Sequence, residues 1–202
     1  MIINNIKAFC INLSERKDRW DNFISQKFPF PVERFDGIKT TIGRTGCLQS
    51  HVNILRNVKE PTFIFEDDFL LINNFSLVEK SINQLPPDWD LLYLGAILHK
   101  KLERYSDNLF KLRKGWAAHA ILYNNSNVIK KIIEDYDNGI ITKEFKSFDT
   151  YLARDIQKHF NCFITCPIIG IQSTSYSDII QGERNYKDIM IGMYDKFTKD
   201  NL

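Results

Sequence analysis

Three consecutive carboxylates end an apolar run in Phe63-Ile-Phe-Glu-Asp-Asp-Phe69. Buried and unpaired, three such groups would be costly. The strand formers ahead of them put Glu66, Asp67 and Asp68 at the carboxyl end of a strand, where open α/β sheets bind their ligands. Hard oxygen donors gathered at one point suit Mg²⁺ or Mn²⁺. A cation held there can bridge a pyrophosphate and neutralise the charge that develops as it leaves. A solvated acidic turn at a helix N-terminus is the plain alternative, and the strand in front of the triplet favours a site.

Four other segments carry chemistry-bearing side chains. Arg16, Lys17 and Arg19 follow an apolar run and open a helical pattern, a setting suited to phosphate and equally common on an ordinary surface helix. In Gly46-Cys-Leu-Gln-Ser-His51 the histidine lies on a helix whose other face is apolar, so it is expected to be structural and satisfied by a hydrogen bond. Asp149, in Phe148-Asp-Thr-Tyr151, suits a helix N-cap and a general base alike, and the two roles are compatible. The hydroxyl-rich stretch Gln172–Asp178 suits hydrogen bonds to phosphate or sugar, or a solvated loop. Of four cysteines, Cys10 and Cys162 sit in apolar runs, and the i, i+4 spacing of Cys162 and Cys166 is not a zinc knuckle. Buried free thiols in a reducing compartment are expected, with no disulfide framework and no structural metal site.

The elements that must position these residues alternate along the chain. Strands are expected at residues 7–13, 62–65, 90–95, 116–123 and 162–167. Helices are expected at 15–27, 46–58, 77–85, 126–136 with Ser126 as cap, and 148–160, with a helical tail from Tyr186. Residues 99–113, charged and aperiodic, are expected to form a mobile surface loop. This alternation predicts an α/β sandwich on a mostly parallel sheet. The 202 residues, 44% hydrophobic and 26% charged, fit a single domain over residues 1–202 with a substantial core. A net charge of +2 gives no field for nucleic acid. No apolar stretch reaches the roughly 20 residues of a bilayer span, and the N-terminus does not read as a secretory signal. A cytoplasmic location is therefore expected, in which the sequons at Asn12, Asn74 and Asn124 have no glycosylation meaning.

Taken in order, these segments resemble glycosyltransferase family 25, the group of lipooligosaccharide and collagen-hydroxylysine galactosyltransferases. Ile11-Asn-Leu-Ser-Glu-Arg-Lys-Asp-Arg19 is similar to its opening block and Glu33-Arg-Phe-Asp-Gly37 to its next. Gly46-Cys-Leu-Gln-Ser-His51 is similar to its Gly-Cys-x-x-Ser-His block, and Phe65-Glu-Asp-Asp68 to its acidic block. Ala118-His-Ala-Ile-Leu-Tyr123, Asp149 and Ser177-Asp-Ile179 are similar to later ones. At His119 the family strand has a Tyr-like residue, and this chain is short for the fold. The resemblance implies a GT-A type α/β fold with the sheet flanked by helices. It implies transfer of galactose or glucose from a UDP-sugar donor to a glycan or other hydroxylated acceptor, with inversion, using Mn²⁺ or Mg²⁺. By position, Asp68 would be the metal ligand and Asp149 the catalytic base. Glu66, Asp67, Asn12, Arg16, Arg19 and Asp36 would bind the donor.

Two other functions fit the same residues. A metal-dependent phosphohydrolase would need further ligands such as Asp149 and Asp178 for a two-metal site. A non-catalytic module recognising a nucleotide sugar or glycan would keep the fold without turnover.

Overall fold

The strands around the acidic run are apolar at nearly every position rather than at alternate ones, the pattern of a sheet covered on both faces. The computed structural model of the chain describes residues 6–124, 127–173, 176–177, 182–183 and 185–198. Its first half runs β1 (Lys7–Asn12), α1 (Lys17–Ile24), β2 (Glu33–Asp36), α2 (Gly43–Leu55), β3 (Thr62–Glu66), β4 (Phe69–Leu71), α3 (Ser76–Ile82), β5 (Leu91–Tyr93) and β6 (Ile97–Leu98). Then come β7 (Glu103–Ser106), β8 (Leu109–Lys111), β9 (Gly115–Trp116), β10 (Ala120–Tyr123), α4 (Asn127–Asp137), α5 (Ile140–Glu144) and α6 (Phe148–Tyr151). A π-helical turn, Leu152–Ile156, leads into α7 (Gln157–His159), β11 (Cys162–Thr165), β12 (Gly170–Gln172), β13 (Tyr176–Ser177), β14 (Gly182–Glu183) and α8 (Tyr186–Thr198). Ser126 and Asp178 lie outside the described residues.

The main sheet has eight strands in the order β2-β1-β3-β10-β5-β11-β8-β7. β2, β1 and β3 are parallel, as are β5 and β11, while β10 is inserted antiparallel between β3 and β5. Six of the eight strands therefore run one way, with β10 and β8 opposed. The fold is mixed α/β with a large, mostly parallel sheet flanked by helices.

Alternation along each strand sorts the core into two clusters, one per face. Ile64, Leu91, Tyr93, Ile121 and Ile164 join Leu48 and Val52 of α2, Val128 and Ile132 of α4, and Phe148 and Tyr151 of α6. Phe63, Phe65, Leu92, Leu122 and Phe163 join Phe23 of α1 and Val78 and Ile82 of α3. The second cluster is rich in phenylalanine: Phe28 and Phe30 stack against Phe23, Phe63 and Phe65. At roughly 25 cal/mol per Å² of apolar surface removed from water, such rings supply a large share of the folding drive.

Several expectations are corrected. Residues 99–113 are not a free loop: β7 and β8 form a hairpin that closes one edge of the main sheet against β11. Its outer strand is almost wholly exposed, so it shows no apolar periodicity, whereas Leu109 and Phe110 are fully buried. The stretch expected as one strand over 116–123 is two pieces, because Gly115–Trp116 pairs with β6 and only Ala120–Tyr123 enters the main sheet. β2 and the β4–β12 pair carry too few apolar residues to stand out. On α1, Phe23 is fully buried whereas its neighbour Ile24 is exposed. Among the described residues no helix is long and apolar enough to cross a membrane.

Candidate functional site

The strand end that carries the triplet is shared between two helices on opposite faces, and alternation decides which carboxylate goes where. Glu66 follows Phe65 and so points to the face covered by α2. There His51 Nε2 lies 3.1 Å from Glu66 Oε1, and the Cys47 thiol donates to the same oxygen at 3.4 Å. Asp67 goes to the other face, where Asn12 Nδ2 donates to its Oδ2 at 2.7 Å and Arg19 Nη1 to its Oδ1 at 2.8 Å. The Asp67 and Arg19 side chains are only 9% and 15% exposed. Asn12 is fully committed: Nδ2 also donates to the Arg16 carbonyl at 2.9 Å, and Oδ1 accepts from Arg34 Nε at 2.9 Å.

Asp68 is left at the turn into β4, beside β12. Ser173 N–H donates to its carbonyl at 2.7 Å and Gln172 Nε2 to its Oδ2 at 3.2 Å. Its Oδ1 is enclosed and has no hydrogen-bond partner among the described residues. Burial, then the neighbouring Glu66 and Asp67 charges, push the Asp68 carboxyl up to about 8. Burial also raises Asp67, against the pull of Arg19 and Asn12. For Glu66, burial acts upward, but the His51 hydrogen bond and the nearby histidines outweigh it and hold the group below its ordinary value. Behind the triplet His119 is fully buried beside the Gly170 backbone. Burial depresses it to about 4, against the Glu66 charge and the Gly170 carbonyl.

The Gly46-Cys-x-x-Ser-His block has a physical explanation in how α2 docks. A Cβ at Gly46 would stand 2.0 Å from the Ile38 carbonyl oxygen, so only glycine lets the helix approach the segment after β2. Ser50 Oγ fastens that approach, accepting from Ile38 N–H at 2.9 Å and donating to the Gly46 carbonyl at 2.7 Å. One turn further round, Cys47 and His51 face Glu66. The expectation that His51 is satisfied by a hydrogen bond holds for Nε2, while Nδ1 is buried without a partner among the described residues. Cys10, Cys162 and Cys166 are the buried free thiols expected, but Cys47 is half-buried and lies against the triplet. With His51 and Glu66 it forms a donor set, atoms within 4.8 Å of one another, that the sequence reading did not anticipate.

Two cavities meet at this strand end. The first, about 390 Å³, runs between the start of α1 and the start of α2 and is lined by Ile11, Arg16, Arg19, Gly37, Lys39, Gly43 and the triplet. The second, about 450 Å³, is lined by Arg19, Arg44, Ala117, Lys146, Asp149, Gln172 and Ser173. Arg19, Cys47, Glu66 and Asp68 line both. Each volume falls in the usual range for a small-molecule site.

Of the expected site residues, Arg16, Arg19, Glu66, Asp67, Asp68 and Asp149 line the cavities, and Asn12 and Asp36 do not. Arg16 begins α1 and lines the first cavity, its guanidinium bonded to Asp18. Asn12 is a buried scaffold residue behind Asp67. Asp36 pairs in register with Asn12 on the neighbouring strand, but its side chain is 79% exposed, faces Arg34 at 3.7 Å, and lines neither cavity. Asp149 is not the helix cap, since Ser147 holds that position and Asp149 sits within the first turn of α6. Its Oδ1 accepts from the Ser147 hydroxyl and from Thr150 N–H at 2.8 Å. Of the hydroxyl-rich stretch, Gln172 and Ser173 lie against Asp68, and residues 174, 175 and 178 are outside the described ones.

No protein-family profile matches the chain, and no curated protein matches it in sequence. Among solved structures, the chain is similar to the glycosyltransferase GlyE of Streptococcus pneumoniae TIGR4 in its apo form, with 8% identity and a TM-score of 0.49, over 98% of this chain. A second structure of that glycosyltransferase matches at 10% identity and a TM-score of 0.44. A197 from STIV matches at 9% identity and 0.45, over 88% of this chain and 92% of its own. The chain spans 64% of the length of the GlyE chains it matches.

Proposed function

We propose that this chain is an inverting glycosyltransferase, which moves galactose or glucose from a UDP-sugar to a hydroxyl of a glycan or other acceptor with the help of Mn²⁺ or Mg²⁺. The observation that carries the reading is the pair of cavities that share Glu66 and Asp68 as a common wall, one entered past the basic start of α1, the other lined by Asp149. A transferase has to hold two substrates on either side of one reacting carbon, and two adjoining cavities supply that arrangement. The ordered blocks that resemble family 25, and the GT-A type fold this resemblance implies, support the same reading.

The residues at Asp68 fit a divalent cation. Its Oδ1 is enclosed without a partner, and the carboxyl is pushed up by burial beside two other carboxylates. That is the environment a hard cation relieves. Asp68 would hold it. When bound, such an ion supplies positive charge to the diphosphate as it departs. Arg16, Arg19 and Lys39 carry positive charge along the first cavity, and Glu66 and Asp67 are acceptors for donor hydroxyl or uracil N–H groups. Asp36, exposed and lining neither cavity, is left out of the donor-binding set. Asn12 acts by positioning: it fixes Asp67, and through the Arg16 carbonyl it fixes the start of α1.

Asp149 takes the proton of the acceptor hydroxyl as that oxygen bonds to the anomeric carbon. The bond from that carbon to the diphosphate oxygen breaks on the opposite face, and UDP leaves with the bonding pair. Entry from one cavity and departure into the other gives inversion. The test is thermal stabilisation by a panel of nucleotides and nucleotide sugars with and without Mn²⁺, followed by UDP release in the presence of acceptor sugars. Stabilisation grows with ligand concentration over Kd, so weak donors register. A Mn²⁺-dependent shift with a UDP-sugar and acceptor-dependent UDP release support the reading. No shift with any nucleotide removes it, and release of inorganic phosphate from simple esters puts a phosphohydrolase in its place.

A further inference from the structure

We infer that Cys47, His51 and Glu66 form a second cation site, for a zinc-class ion, beside the hard-cation position at Asp68. Cys47 and His51 are one turn apart on α2, and Glu66 reaches them from the end of β3. Four-coordinate zinc with bonds of about 2.3 Å to sulfur and about 2.1 Å to nitrogen and oxygen sets tetrahedral edges of about 3.6 Å for S···O and about 3.4 Å for N···O. The corresponding distances here are 3.4 Å for Cys47 Sγ to Glu66 Oε1 and 3.1 Å for His51 Nε2 to Glu66 Oε1. All three donor atoms lie within 4.8 Å of one another. Two edges of the triangle are close to tetrahedral values, and the third, Cys47 Sγ to His51 Nε2, lies within 4.8 Å and has to settle at about 3.6 Å as an ion enters.

Donor chemistry separates this site from the one at Asp68. Thiolate and imidazole select zinc-class ions, whereas carboxylate oxygens alone suit magnesium and manganese. Three protein ligands leave a fourth position open, and Cys47 and Glu66 both line the two cavities, so a water or a ligand oxygen can fill it. On binding, the Cys47 thiol proton passes to solvent, and His51 ligates through an unprotonated Nε2 with its ring proton on Nδ1. His51 Nδ1 has no hydrogen-bond partner among the described residues, whereas ligating histidines ordinarily donate from their second nitrogen. Without that outer partner the site is expected to hold its ion more weakly than a fully supported one.

The inference does not depend on the transfer reaction, and its test reads the metal directly. Metal-free protein is titrated with Co²⁺, followed by displacement with Zn²⁺. One equivalent giving a thiolate-to-cobalt absorption in the near ultraviolet, with tetrahedral visible bands that Zn²⁺ removes, is the expected result. Loss of a mere outer-shell partner weakens metal binding about 10–100-fold, so Cys47→Ser should weaken it at least that much and abolish the near-ultraviolet band. Asp68→Asn should leave both intact. Absence of a thiolate band in the unmutated protein overturns the inference without any question of folding. Equal binding by Cys47→Ser overturns it too. Loss of the band in Asp68→Asn would mean a single shared site, and overturns it as a separate one.

Discussion

The two walls of the strand end are built in opposite ways. On the α1 side, Asn12, Arg19, Arg34 and Asp67 give one another hydrogen bonds at 2.7–2.9 Å, with every polar atom of the Asn12 side chain engaged. On the side of β4 and β12, Asp68 Oδ1 is enclosed without a hydrogen-bond partner among the described residues, and His119 is fully buried beside it. A side chain with every polar atom engaged, as Asn12 has, rigidifies what it touches, whereas an enclosed carboxylate oxygen without a partner stores unfavourable desolvation that a ligand can relieve. The contrast teaches that the first wall is scaffold and the second is where a ligand does most to lower the energy.

The largest effect expected is on catalysis from the open side. Asp149→Asn should lower turnover by about 10²–10⁴-fold while leaving donor affinity unchanged, measured as UDP release against donor titration. A fall in melting temperature with turnover retained would assign Asp149 to the first turn of α6 alone. Next comes the closed wall: Asn12→Ala strands Asp67 and Arg34 hydrogen bonds together and should cost about 2–4 kcal/mol in denaturant unfolding. A loss near zero would erase the distinction between the two walls.

A smaller effect lies in the pH dependence of the metal-free chain. Asp68 is raised to about 8, so between about 4, the ordinary carboxylate value, and about 8 the folded chain keeps a proton that the unfolded chain releases. Its contribution to stability is therefore full at low pH and is lost as pH rises. His119, depressed to about 4, works the other way: its contribution grows with pH up to its unfolded value near 6.5 and is constant above it. From about pH 6.5 to 8, stability should fall with a slope below the one-proton ceiling of about 1.4 kcal/mol per pH unit. Asp68→Asn should flatten that slope and abolish Mn²⁺-dependent donor binding. A slope unchanged in Asp68→Asn would show that the open wall is not under electrostatic tension. The smallest effect is expected at the rim, where Asp36→Ala should change stability by less than about 0.5 kcal/mol.

Much of this was legible in the residues. Unbroken apolar runs ending in carboxylates located β3 and its triplet, and β1, β5 and β11 were found the same way. What escaped was structure whose signal is pairing rather than burial. The β7–β8 hairpin has an exposed outer strand, and the turn-forming pair Asp107-Asn108 between its strands is the only local mark it leaves in the sequence. The i, i+4 spacing of Cys47 and His51 was visible, but their partner Glu66 arrives from another element, and periodicity along one helix carries no record of that. The role of Asn12 as a hub was equally hidden, since three of its partners, Arg34, Asp67 and the Arg16 backbone, come from separate parts of the chain.

The position of β3 also bears on how the chain acquires its site as it is synthesised. β3 pairs on one side with β1, made long before it, and on the other with β10, made long after. Asp68 meets Gln172 and Ser173 later still. Contacts so far apart in sequence carry a high loop-closure entropy and slow folding towards the millisecond-to-second range. A nascent chain stalled ahead of Gly170 would hold the triplet without the Gln172 and Ser173 hydrogen bonds to Asp68. Vectorial synthesis thus keeps the electrostatically tense end of the sheet for last, after the phenylalanine-rich layer has had time to consolidate beneath it.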